Sequence, residues 1–275
     1  MNPYPELLNG RFADDVASGA GAADHSFLCQ VLARKTVRSY TGQAPSEALL
    51  DLLTATALCA SAKSDFQQAS ILRVADPDLR ARIGALFPAM PWIATAPAFF
   101  VFLGDARRLQ RIGALRGKPV DNGTLEGFFN ASVDAALALQ TFILAAESAG
   151  LGCCPISVIR NRVDEIAPML GLPDQVFPVA GLCVGYPVDP GHVSLRLPRT
   201  ITVHRDRYAD ADLPAQLDRY DQARHARHAL PNQRATSRFG VAPFYGWSED
   251  KARQAAEPEG AAFPHYLRSH GFSLA

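Results

Sequence analysis

Between Pro45 and Leu58 the apolar residues Leu49, Leu50, Leu53, Ala57 and Leu58 recur at i, i+1, i+4, i+8 and i+9. That spacing lays them on one face of a helix opened by Pro45-Ser46-Glu47. The same reading yields elements along much of the chain. A short helix begins near Ser26 and carries Phe27, Leu28, Val31 and Leu32, and 70–74 has strand character. Asp76-Pro77-Asp78 supplies an N-cap, a proline at the first helical position and an acid in the first turn, which predicts a helix to about Leu86. Residues 96–103 form a continuous aromatic and β-branched run closed by Gly104-Asp105, the pattern of a buried strand. Asn122-Gly123-Thr124 caps the longest helix, 125–149, which Gly150 and Gly152 stop. A strand at 153–157, a helix at 161–170 with Gly171 and Pro173 beyond it, and a buried strand at 176–185 follow. Alternating helices and strands predict a three-layer α/β or α+β fold around a mixed sheet.

The long helix is apolar on nearly all sides, as a membrane span would be, but Asn130, Asp134, Gln140 and Glu147 interrupt it. It reads as a core helix buried against a partner subunit, with Asp134 and Glu147 structural, bonding neighbouring backbone or arginine. Residues 1–25, with Gly19-Ala20-Gly21-Ala22-Ala23 lacking any apolar period, read as a mobile or surface-draped arm. Beyond Pro187 arginines crowd a stretch poor in large apolar residues, and aromatics return from Phe244. The expected division is an arm at 1–25, a main domain at 26–208 and an extension at 209–275 that packs on the body or on a second copy.

Composition narrows the partners. The 275 residues are 48% hydrophobic and 20% charged, and 27 Lys+Arg offset 27 Asp+Glu, so no global field recruits nucleic acid or an anionic membrane. Five cysteines, an odd number without zinc-type pairs, point to a reducing compartment, and no signal-peptide h-region is readable, so the expected location is the cytoplasm. His225 and His228 lack a third ligand of suitable spacing, and no metal site is expected. Gly150-Leu151-Gly152 follows a helix rather than a strand and lacks the third glycine of a dinucleotide fingerprint. No catalytic side chain is readable, and a cofactor would fill that gap.

One stretch does carry chemistry. Arg34-Lys35-Thr36-Val37-Arg38-Ser39-Tyr40 packs three cations and two or three hydroxyls into a few residues, the composition of an anion clamp, or else of a solvated basic turn. With the polar loop around Ser64, Glu147-Ser148-Ala149-Gly150-Leu151-Gly152, Arg160-Asn161, Leu170-Gly171-Leu172-Pro173, the 178–187 run and Arg196-Leu197-Pro198, it resembles the nitroreductase family in order and spacing. The likeness is to the NADPH-dependent flavin reductase and oxygen-insensitive nitroreductase branch, from about Leu32 to Tyr208.

That resemblance implies an α+β three-layer sandwich with a mixed central sheet flanked by helices, and an intertwined homodimer with FMN at each end of the dimer interface. By position it assigns Arg34, Lys35, Thr36 and Arg38 to the phosphate and flavin-edge motif and Arg196 to the phosphate. Lys63 and Ser64 fall in a loop touching the flavin, and Pro155, Ile156, Ser157 and Val158 in the segment beside flavin N5. Arg234, or Arg238, corresponds to the nicotinamide-phosphate arginine. The chain departs from the family where Tyr-Ile-Gly-Gly is usual at 155–158, where Ser194 replaces a lysine and where Met90 replaces a frequent glutamine. Proline removes a donor there, and valine adds bulk. The implied function is an FMN-dependent oxidoreductase using NAD(P)H to reduce a nitroaromatic, quinone or flavin acceptor by a ping-pong mechanism. The alternatives are an FMN enzyme of changed chemistry, such as biosynthetic oxidation or dehalogenation, and a non-catalytic flavin-binding or interaction protein.

Overall fold

A computed structural model describes residues 4–12, 26–189 and 191–274; the remainder of the expected arm, 1–3 and 13–25, lies outside them. The chain divides into two compact units, one of Lys35–His192 with Gly260–Ala275, the other of Met1–Arg34 with Val193–Glu259. These limits differ from the expected ones: the body starts inside the basic stretch, and the last residues rejoin it.

The helices are α1 (Tyr4–Phe12), α2 (Ser26–Ala33), α3 (Glu47–Ala57), α4 (Pro77–Ala85), α5 (Trp92–Thr95), α6 (Arg107–Arg116) and α7 (Leu125–Ser148). Then come α8 (Val163–Met169), α9 (Arg199–Thr202), α10 (Leu213–Arg227), α11 (Thr236–Phe239), α12 (Trp247–Ala255) and α13 (Phe263–Ser269). The strands are β1 (Ala69–Arg73), β2 (Ala98–Asp105), β3 (Gly152–Ile156) and β4 (Val176–Gly185). The caps read from sequence form: Ser46, Asp76 and Thr124 side chains accept from Leu49, Asp78 and Gly127 N–H at 3.3, 2.9 and 3.1 Å.

In the body the strands order as β1-β2-β4-β3, and every pairing is antiparallel. This corrects the expected mixed sheet. A helix yields parallel strands when it returns the chain along the sheet, but between β3 and β4 stand a 3-10 turn (Ser157–Arg162) and α8 of 7 residues. Such a helix spans about 10 Å, far short of a ten-residue strand.

The sheet is covered on both faces, giving three layers. Period-2 alternation sends Phe100 and Phe102 of β2 to one core and Phe99, Val101 and Leu103 to the other. The first core is closed by α3 and α7, the second by α4, α5 and the chain around Ile159 and Ile166. Phe99, Phe100 and Phe102 are each 0% exposed, worth about 2 kcal/mol apiece by area. A third cluster joins α8 to Phe177 and to Tyr266, Leu267 and Phe272 of the returning tail. Burial is the main force that pushes the Tyr266 hydroxyl up to about 12, and that hydroxyl donates to Val176 O at 2.9 Å.

The long helix α7 is half of what its composition suggested. Its Ala138, Phe142 and Ala146 face the core, whereas Leu125, Phe129, Val133 and Leu137, spaced four apart, are 51, 60, 38 and 41% exposed. The helix α6, missed by the sequence reading, has its apolar spacing diluted by arginine.

Candidate functional site

The basic stretch leaves the second unit at Arg34 and enters the body at Lys35. Within the body it runs beside β3: Val37 N donates to Cys153 O at 3.0 Å, and Val37 is buried to 5% exposure. The contact requires a glycine at 152, because a Cβ there would lie 2.6 Å from Val37 Cβ. Pinned at Val37, the chain leaves Lys35 and Thr36 half-buried and Arg38 exposed. The Arg38 guanidinium sits over the Trp92 ring, 5.6 Å from its centroid. Trp92 Nε1 is buried with no hydrogen-bond partner among the described residues.

Tyr40 closes this turn, its hydroxyl donating to Val37 O at 2.7 Å and to Cys183 O at 3.3 Å. Burial pushes that phenol far up, as it does the Cys183 thiol, so both stay neutral. Burial also raises the Cys154 thiol, against the pull of the Arg38 charge. None of the five cysteines forms a disulfide, and the adjacent pair Cys153 and Cys154 point to opposite cores. They are packing residues, not a redox pair.

Pro155 and Ile156 end β3, and Ser157 and Val158 open the 3-10 turn. Pro155 and Ser157 are exposed, Ile156 is buried, and Val158 packs with Met90, Trp92 and Tyr40 on the second core. Lys63 and Ser64 stand elsewhere. Their loop lies by the α3 and α7 side, where Asp134 of α7, 2% exposed, accepts from Lys63 N–H and Gln68 N–H, each at 2.9 Å. Ser64, Asp65 and Gln67 take φ of 48, 57 and 53°, a left-handed run costly for residues with side chains. Arg108 of α6 holds the base of the loop through Gln67 O, Ala69 O and Ser70 Oγ. A cleft of about 660 Å³ opens here, lined by Ala57, Ser61, Asp65, Arg108, Asp134 and Ala138 among others. In the body Val37 ties the Lys35–Arg38 stretch to β3, whose end carries 155–158, and Met90 and Val158 each pack on the second core, whereas the 63–64 loop is held by α7 beside the first.

The second unit carries Arg34, Arg196 and Arg234. Arg34 O accepts from Arg11 Nη2 at 2.5 Å, and Arg196 N–H donates to Arg11 O at 2.7 Å. Arg234 Nε donates to the buried Asp250 at 2.9 Å, and Arg238 pairs with Glu257 at the same distance. Burial would raise the Asp250 carboxyl, but bonds from Lys251 and Tyr245 and the charges of Lys251 and Arg234 outweigh it and hold it low. Arg234 is therefore first a structural cation. Asp134, Arg108, Arg11 and Trp92 contact these segments and were not singled out for that by sequence reasoning; only Asp134 had a signal, a carboxylate interrupting an apolar helix.

Two core-covered sheet faces, with a stretch of cations and hydroxyls held beside an edge strand, define an α+β sandwich. Donors of this kind suit a phosphate. Residues 31–186 match the Nitroreductase family and residues 194–275 the Nitroreductase family, C-terminal domain. The FMN reductase (NADPH) of Bacillus subtilis is 35% identical over 180 residues, 65% of this chain and 72% of that one. The oxygen-insensitive NADPH nitroreductase of Salmonella typhimurium is 33% identical over 188 residues, 68% of this chain and 76% of its own length. The solved structure of NfrA2 from B. megaterium superposes with a TM-score of 0.82 at 28% identity, over 91% of this chain and 99% of the other. The chain belongs to the nitroreductase family.

Proposed function

We propose that this chain is an FMN-dependent NAD(P)H oxidoreductase, a flavin reductase or nitroreductase in type, acting by a ping-pong mechanism. When bound, FMN would supply the redox chemistry between NAD(P)H as hydride donor and a small-molecule acceptor. The observation that carries this reading is the Val37–Cys153 bond, which joins the cation stretch to the start of β3, the strand that leads into 155–158, inside the family-matched region. Lys35, Thr36 and Arg38 of the body would hold the flavin and its phosphate side, with the 155–158 backbone beside the ring; in the second unit Arg34 and Arg196 are the residues the family likeness gives to the phosphate. Pro155 offers no N–H and Ile156 pairs with Gly181 of β4, so the donors of this wall come from Ser157 and Val158. Cations at the ring edge stabilise added negative charge on the reduced flavin.

Lys63 and Ser64 face the other side of the sheet from Met90 and Val158, which supports a site completed by a second copy. The exposed apolar row Leu125, Phe129, Val133 and Leu137 supports the same homodimer. That none of the five cysteines forms a disulfide supports a reducing, cytoplasmic setting. Arg234, already bonded to Asp250, offers its outer nitrogens to a nicotinamide phosphate, and its side chain is 51% exposed.

The test is an absorption spectrum before and after anaerobic NADPH or NADH. Yellow protein that bleaches is expected. A colourless protein with no affinity for added FMN overturns the reading. Bound FMN that light reduces but neither nicotinamide does selects the changed-chemistry alternative, which the proline at 155 favours.

A further inference from the structure

The helix α1 precedes both family-matched stretches, yet one of its residues is tied to both segments that bring arginine to the phosphate reading. Arg11 is 5% exposed. Its Nε and Nη2 donate to Leu32 O at 2.9 and 2.6 Å, Nη2 also to Arg34 O at 2.5 Å, and Nη1 to Ser194 O at 3.1 Å. Its own carbonyl accepts from Arg196 N–H at 2.7 Å. One planar fork thus fixes the backbone at Arg34 and around Arg196, far apart in sequence.

The chemistry of this clamp is specific. Leu32 and Arg34 lie where α2 ends, and the last carbonyls of a helix lack intrahelical partners, so a cation there is satisfied by them and favoured by the dipole. The residue between Ser194 and Arg196 is held from the other direction: Leu195 O accepts from Tyr220 OH at 2.9 Å and Arg224 Nη1 at 3.1 Å. The helix α1 is itself moored by Arg227, whose guanidinium donates to Asn9 O, Gly10 O and Asn9 Oδ1 at 3.1, 3.0 and 2.9 Å. Two arginines brought to one dianion repel each other until it arrives, so their spacing has to come from backbone bonds rather than from their side chains.

We propose that Arg11 is a positioning residue of the flavin phosphate site, setting the spacing of Arg34 and Arg196 through their main chains. This rests on the reading that those two arginines take the FMN phosphate. FMN and riboflavin differ by that phosphate, so the ratio of their dissociation constants, from fluorescence titration, reports phosphate recognition and does not depend on the fraction folded. R11M lowers the preference for FMN about tenfold or more, with riboflavin affinity kept. R11K, which keeps the charge and loses the fork, falls between and carries the test where R11M does not fold. R34M and R196M lose the same preference. If R11M and R11K keep the wild-type ratio while R34M and R196M lose it, Arg11 only stabilises the fold and the inference is overturned. If R34M and R196M keep it, the phosphate reading itself is wrong and the inference falls with it.

Discussion

Gly152 and Val37 show how one missing methyl fixes a functional segment. Gly152→Ala would drive a Cβ to within 2.6 Å of Val37, which has to move and carry Lys35 and Arg38 with it. The expected result is a loss of about 2 kcal/mol in urea unfolding together with weaker FMN binding; unchanged flavin affinity would uncouple the stretch from β3. Asp134 is the second such residue. Asp134→Asn keeps one acceptor and turns an NH₂ toward the other backbone N–H, so a stability loss of about 2 kcal/mol is expected. Limited proteolysis should then cut at 63–67. Asp134 was legible as structural, since a lone carboxylate on an apolar helix needs partners, but its partners were not, because they come from a loop remote in sequence.

Among the elements, the strands and capped helices of the body were legible, because a period of two or a Ser, Asp or Thr cap is written locally. The helices α1 and α6 were not. Nothing in the α1 sequence announces a helix, and its observed moorings are tertiary, through Arg11 and Arg227. In the second unit, Asp250 ties Arg234, Lys251 and Tyr245 together. Its carboxyl is held below the ordinary 3.8, so its contribution is complete above that pH and lost as pH falls through the folded value. Asp250→Asn should therefore be less stable than the parent at pH 7, with the difference shrinking below about pH 4. Urea midpoints read from Trp247 fluorescence in a Trp92→Phe background at both pH values check this, and a constant difference would count against the linkage.

At the scale of the whole molecule, the apolar row on α7 is the feature a single chain leaves unexplained. On the proposed homodimer, Phe129→Lys is expected to give monomers in sedimentation velocity and to release FMN, since Lys63 and Ser64 would then lose the partner's flavin. A monomeric variant that keeps full flavin affinity would place the whole site within one chain. The sequence by itself determined the strands, the capped helices, the family and the cation stretch, because alternation, caps and clustered charge are local facts of the chain. Strand direction, the reach of Asp134, the buried clamp of Arg11 and the capture of Arg234 by Asp250 were decided by the tertiary structure. Each depends on which distant backbone group a buried charge meets, and no local pattern records that.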